Sequence, residues 1–428
     1  MKILFTPNDI GGGFGHVSRC LAIAEYCKTV AVETAFLMHN KSAINKIRND
    51  FTVYDVSLKT SFQKYYKIVL NYLKPFPVPL FIKVTDLSYQ VIRDGFTSID
   101  IIKKTIKSYL NILNTYKPDI IINDTNLLIG IAAKILNIPI VQITRKAFYP
   151  GGSCLIWWDD KQNLIAPEIT ILFNELLDFY KLSPINRAED LLIGELYVVP
   201  NISDLEPDIQ GENVFYAGPL VRKEKPSEKI DYYQNKRKNI YITLGAGAVG
   251  HPQFFELLNE TFEGTDYNII VATAGKYKNK HNKISSNIHY YEWVPGRQVI
   301  RQSDLVIFHG GYGTMMETIE AGVPSLVIPF HSEQESNGRR LKENGCSELC
   351  KLSNQEDLVI KREWKFGEYS YAIQNKFTLS SDLLIAYIEK LFGADKYQIN
   401  VGILKEKTKK YEGPSQVLSQ IRMQFGVI

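Results

Sequence analysis

Apolar residues fall in short continuous runs, separated by longer stretches with apolar positions at helical spacing, and this alternation occurs twice along the chain. In the first half, Lys2–Thr6 reads as a strand, Gly11–Gly15 as a turn, Val17–Cys27 as a helix and Val30–Leu37 as a strand. Asp119–Asn123, Leu128–Leu136 and Ile138–Ile143 follow as strand, helix and strand. In the second half, strands are expected at Asn239–Leu244, Tyr267–Thr273, Asp304–Phe308 and Ser325–Pro329. Helices are expected at Phe254–Asn259, Thr314–Ala321 and Glu335–Asn344. Short apolar strands between amphipathic helices imply an α/β fold of parallel sheets covered on both faces.

The 428 residues suit two such domains. The polar, proline-containing run Arg222–Lys229 reads as the connection between them. The expected boundaries are a first domain at 1–220, a linker at 221–232 and a second domain at 233–395. Residues 62–84 stand apart: aromatic and lysine side chains mix around Pro75, Pro77 and Pro79, which rule out one continuous helix. An acceptor lid and a membrane-surface patch are both compatible with that stretch. The preferred reading is a helical excursion packing its aromatics on the first domain.

Composition narrows the function classes. Fifty basic against 46 acidic side chains give a net charge of +4, too small a bias to suggest a nucleic-acid partner. It permits an anionic ligand or loose contact at a membrane surface. The five cysteines are scattered, and Cys346-x3-Cys350 lacks zinc spacing and nearby partners, which points to reduced thiols and a cytoplasmic protein. No signal-peptide pattern opens the chain, and no run approaches the roughly 20 apolar residues of a membrane span.

The chemistry concentrates in two places. In the second half, the strand ending at Phe308 runs into His309, Gly310, Gly311 and Gly313, and a helix follows. Glycines allow a tight turn and close backbone approach, and the helix start offers unpaired N–H groups and the positive dipole end to an anion. A diphosphate held there by the helix terminus, the Thr314 hydroxyl and His309 needs no metal. Thr314-x-x-Glu317 also spells a capping box, so Glu317 is either a cap or a ligand contact. Glu333 and Gln334, after the next strand, suit paired sugar hydroxyls or simply begin a helix. His309, His331 and Glu333 show no helical i,i+4 pair, which argues against a metal site.

In the first half, Gly11 and Gly13 fit a dinucleotide-binding turn, but His16 occupies the third glycine position and that reading fails. A histidine at a helix start holds an imidazole at the mouth of a cleft. Asp124 ends a strand, where it is either the cap of the following helix or a partner for that imidazole. There is no Asp-x-Asp, no Gly-x-Ser-x-Gly and no P-loop pattern.

The segment from Glu292 to Asn337 resembles the donor-binding signature of the GT-B glycosyltransferases, of family 1 type, and is similar also to the lipid-linked GlcNAc transferases of peptidoglycan synthesis. The resemblance implies two Rossmann-like domains facing a cleft, with a C-terminal segment, residues 396–428, returning to the first domain. It implies that Trp293 and Val294 border the nucleotide base and that His309, Gly311, Gly313 and Thr314 hold the diphosphate. Glu317 then takes the ribose, Glu333 and Gln334 the donor sugar, and Gly13 and Gly245 lie on phosphate-side loops. Gly15-His16-Val17 matches the segment carrying the general base, with Asp124 its partner acid. The expected reaction is inverting, metal-independent transfer of a sugar from a nucleoside diphosphate sugar, UDP or deoxythymidine-based, to the hydroxyl of a small molecule, glycan or lipid. No cofactor is expected beyond that co-substrate. A sugar-nucleotide 2-epimerase on the same fold is the alternative. Three positions depart from the family: Gly296 replaces a glutamine, Gly245-Ala246-Gly247 lacks a hydroxyl residue, and Arg19 replaces a proline.

Overall fold

The computed structural model describes residues 1–11, 13–57, 79–159, 163–207, 209–222, 237–245, 252–275 and 287–426. Strands β1 (Lys2–Pro7), β2 (Glu33–Met38), β3 (Thr52–Asp55), β4 (Phe81–Lys83), β5 (Ile120–Asp124), β6 (Ile140–Ile143), β7 (Leu196–Val199) and β8 (Val214–Tyr216) lie in the first half. All but β4 form a seven-stranded parallel sheet in the order β3-β2-β1-β5-β6-β7-β8. In the second half, β9 (Lys238–Thr243), β10 (Tyr267–Ala272), β11 (Ile288–Tyr291), β12 (Leu305–Phe308), β13 (Ser325–Val327) and β14 (Ser347–Leu349) form a six-stranded parallel sheet, β11-β10-β9-β12-β13-β14. Each sheet carries an apolar core on both faces, which is why strands such as Ile120-Ile121-Ile122 are uninterrupted apolar runs.

A third, three-stranded sheet is not anticipated by the sequence pattern. Strands β15 (Leu358–Trp364) and β16 (Gly367–Gln374) form an antiparallel hairpin, and β4 adds to its edge. β4 thus carries the first half of the chain across to the second. Its Ile82 N–H donates to the Phe330 carbonyl at 2.9 Å, and the Val84 N–H donates to Ser332 Oγ at 2.9 Å. The expected helical excursion over 62–84 is therefore corrected at its end, which is a strand; residues 62–78 lie outside the described residues. The linker, beyond Val221 and Arg222, lies outside them as well.

The C-terminal return starts later than Lys396. Helix Lys396–Thr408 packs Val401 and Leu404 into the second lobe beside Met315 and Ile319. The chain crosses at 409–413, and helix Pro414–Phe425 then buries Val417, Leu418 and Ile421 against Val17, Leu21 and Ala24 of the first. Its proline sits in the first helical turn, where a missing N–H costs nothing. Among the described residues no helix is long and apolar enough to cross a membrane.

Candidate active site

Helix Gly15–Thr29 starts at the carboxyl edge of the first sheet and sets His16 in its first turn. β1 and β5 pair in register, Pro7 opposite Asp124, so the last residue of β5 comes up beside that turn. His16 Nδ1 lies 2.7 Å from Asp124 Oδ1. The Asp124 side chain is fully buried and does not cap the next helix, because Asn126 Oδ1 accepts the Leu128 and Ile129 N–H groups instead. Burial would push the Asp124 carboxyl up. The charge of Arg19, then that of His16, overrides burial and holds it well below the usual carboxylate range. Arg19 is thus a third member of the group, one that sequence reasoning registers only as a missing proline. Gly13 has open space where a Cβ would stand and no left-handed φ, so neither crowding nor backbone conformation calls for glycine there.

In the second lobe Gly245, Gly310 and Gly311 have steric reasons, whereas Gly313, inside the helix, has open space where a Cβ would stand. Gly310 adopts φ +84°, and a Cβ there would meet the Gln334 carbonyl oxygen at 2.5 Å. Asn337 Nδ2 donates to the Gly310 carbonyl at 2.7 Å and fixes the turn. Cβ atoms at Gly245 and Gly311 would come within 2.6 and 2.4 Å of the His309 ring, which is slotted between two bare backbones. Burial and the neighbouring His331 pull the His309 imidazole down to about 4. It is therefore neutral near pH 7, and attraction of an anion falls to the helix terminus rather than to a histidine charge.

The helix here is Tyr312–Ala321, with Gly311 at its cap position and no side-chain cap bond. Thr314 is already inside it, so Thr314 and Glu317 form no capping box, and the cap reading of Glu317 is set aside. Glu317 Oε1 lies 3.9 Å from Arg297 Nε. A Cβ at Gly296 would lie 3.7 Å from Glu317 Oε2 and 3.6 Å from the Tyr241 hydroxyl, so the missing glutamine leaves room directly beside this carboxylate. Trp293 is 76% exposed, a free aromatic face at the carboxyl edge of the sheet. Val294 differs from expectation: its side chain is 6% exposed and belongs to the core, so only its backbone can border a base.

Glu333 and Gln334 lie in the first turn of helix Ser332–Glu343, not ahead of it. Gln334 Oε1 turns back to accept the Phe330 N–H at 2.9 Å, which leaves its amide nitrogen for any ligand. Glu333 Oε1 stands 3.4 Å from Nη1 of Arg145, a buried first-lobe side chain that also grips Glu206. Burial would push the Glu333 carboxyl up, and Arg145 foremost among its neighbours pulls it down. Arg145 follows β6 by two residues, and only the fold reveals its place opposite Glu333. Among the described residues, no three His, Cys, Asp or Glu side chains group as metal ligands.

The chain is similar to known proteins along much of its length. Residues 256–363 match the C-terminal domain of erythromycin biosynthesis protein CIII-like proteins. An uncharacterized glycosyltransferase of Methanosarcina mazei is 25% identical over 82% of this chain and 86% of its own length. The NDP-glycosyltransferase YjiC of Bacillus subtilis is 28% identical over 58% of this chain and 64% of its own. The calicheamicin glycosyltransferase CalG4 superposes with a TM-score of 0.73 at 17% identity, over all of this chain and 98% of that one. The spinosyn rhamnosyltransferase SpnG, complexed with thymidine diphosphate, superposes with a TM-score of 0.66 at 13% identity, over 99% of this chain and all of that one. The chain is a glycosyltransferase of the GT-B fold. In this glycosyltransferase the first sheet presents His16 and Asp124 and the second presents the glycine turn, each at the carboxyl ends of parallel strands, where open α/β sheets bind ligands.

Proposed function

We propose that this glycosyltransferase moves a sugar, with inversion and without a metal, from a nucleoside diphosphate sugar to an acceptor hydroxyl, and that His16 is the general base. The observation that carries the reading is the 2.7 Å contact of His16 Nδ1 with the buried Asp124 carboxylate. With Nδ1 donating to Asp124, Nε2 is the nitrogen left to take the acceptor proton as the acceptor oxygen bonds the anomeric carbon. The anomeric C–O bond breaks in the same step, and its electron pair leaves with the diphosphate. The N-terminal N–H groups of helix Tyr312–Ala321 receive that growing charge, which substitutes for a metal. Glu317 holds the ribose, Trp293 stacks on the base, and Glu333 and the Gln334 amide hold the sugar. UDP and thymidine diphosphate both suit the base position, and SpnG, of the same fold, is known with the latter.

The test has two stages. Thermal stabilisation by UDP and thymidine diphosphate selects the nucleotide; ligand at 100 times its Kd adds about 2.7 kcal/mol. The matching sugar nucleotides are then incubated with EDTA and a panel of phenolic, glycan and lipid acceptors, and the anomeric configuration of the product is read by NMR. His16→Ala is expected to lower kcat by about 100- to 10,000-fold while nucleotide affinity holds. Full activity in that variant rules out the base assignment, and a sugar epimerised without acceptor indicates an isomerase.

A further inference from the structure

Arg19 is the residue that the sequence marks as a departure and that the proposed chemistry does not yet use. It lies three positions after His16 on the same helix, so its guanidinium returns to the same face as the imidazole. Its Nε donates to Asp124 Oδ2 and its Nη2 to Asp124 Oδ1, both at 2.8 Å, a two-pronged grip. The same Nη2 is 2.9 Å from His16 Nδ1. Its guanidinium also lies over the ring of Tyr312, 5.0 Å from the centroid. Tyr312 begins the helix of the glycine turn, and its hydroxyl is tied to the first lobe, donating to the Pro200 carbonyl and accepting the Leu220 N–H. One side chain thus touches the His16–Asp124 pair and the second lobe's helix terminus together.

We propose that Arg19 is a positioning residue of the transfer reaction: it fixes the plane and charge of Asp124 for His16 and sets that pair against the phosphate turn through Tyr312. The inference rests on the reading of His16 as base. A proline at this position has no side-chain donor, so the arrangement depends on the arginine. Asp124 is buried, and the Arg19 fork gives it a permanent counter-charge. His16 therefore faces a neutral Arg–Asp pair instead of a bare carboxylate. Of the other charged and titratable groups around Arg19, Glu333 comes from helix Ser332–Glu343, Arg145 from the segment after β6, and Cys20 from Arg19's own helix. Glu333 is paired with Arg145, and burial pushes the Cys20 thiol up, so neither replaces the Arg19 charge. Without Arg19, the His–Asp pair keeps its proton to higher pH and the base is free over a narrower range.

The experiment measures release of nucleoside diphosphate from UDP-glucose and thymidine diphosphate-glucose, with phenol or water as acceptor. Wild type, Arg19→Gln, Arg19→Lys and His16→Ala are compared across pH. Arg19→Gln is expected to lower kcat by at least about tenfold, with a smaller change in the donor KM. Its acid limb should move up by about one pH unit. Arg19→Lys should bring the limb back while kcat stays low, because a point charge cannot form the fork. Wild-type kcat and limb in Arg19→Gln, with His16→Ala inactive, overturn the Arg19 role and leave the base in place. Activity in His16→Ala, or no turnover of either donor by the wild type, overturns both. Should Arg19→Gln fail to fold by circular dichroism, Arg19→Lys decides, and an undiminished kcat there refutes the proposal.

Discussion

Glu317 sits one turn into its helix, and Gly296 contributes no side chain beside its carboxylate. The carboxylate stays 30% exposed beside Arg297, and a ribose hydroxyl bonded to such a charged group contributes about 1.5–3 kcal/mol. Glu317→Ala is therefore expected to weaken nucleoside diphosphate binding at least about tenfold by calorimetry, with little change in the melting temperature of the free protein. Equal affinity would return Glu317 to a structural role. His309 makes a separate prediction. Its folded value of about 4 lies below the ordinary histidine range, so between about 6.5 and 4 the unfolded chain takes up a proton that the native chain refuses. Stability falls as pH drops through that window, by an amount on the order of 1–3 kcal/mol. His309→Asn should flatten this part of the pH–melting curve, and an unchanged slope would refute the burial argument. These residues show what a single sequence discloses. Histidine and aspartate at the ends of strands are visible as types in places, and the parallel register brings His16 and Asp124 together. Arg19 and Arg145 escape because their partners lie 105 and 188 residues away, a separation that no local pattern encodes.

Elements built from continuous apolar runs were readable to within a few residues, since burial on both faces writes itself into composition. Helix starts were less so: Tyr312 and Ser332 begin their helices earlier than apolar spacing suggests, because glycine and polar residues carry no periodic signal. The β15–β16 hairpin carries no such signal. Charged side chains interrupt Leu358–Trp364, and its partner strand alternates serine with tyrosine. The available clue is Gly367, held at φ +119° directly after the turn, as the first residue of β16. β4, on the edge of that hairpin, ties the loop leading to Glu333 through the Ile82 N–H. Ile82→Pro removes that donor, and the expected loss is about 3 kcal/mol in urea denaturation. Ile82→Val, which keeps the donor, should cost only about 1 kcal/mol. Equal effects of the two would show that the strand contributes packing alone.

For the molecule as a whole, the two lobes are joined by more than a linker. β4 crosses one way, helix Pro414–Phe425 the other, and Trp157 bridges the cleft, its indole N–H donating to Ser336 Oγ at 2.9 Å and its ring facing Arg340. Truncation before Pro414 removes Val417, Leu418 and Ile421 from the first core, each buried side chain contributing about 1.5–3 kcal/mol. The truncated chain should melt at a distinctly lower temperature and, with the second sheet complete, keep some nucleotide affinity. An unchanged melting curve would show that the helix is dispensable.

The same returning helix has a consequence for synthesis. A ribosome releases helix Gly15–Thr29 roughly 400 residues before the segment that covers its apolar flank, a delay of some 20–80 s at ordinary elongation rates of about 5–20 residues per second. During that interval Val17, Leu21 and Ala24 lack the cover of Val417, Leu418 and Ile421. The nascent first lobe is thus a natural client for a chaperone until Pro414–Phe425 has emerged.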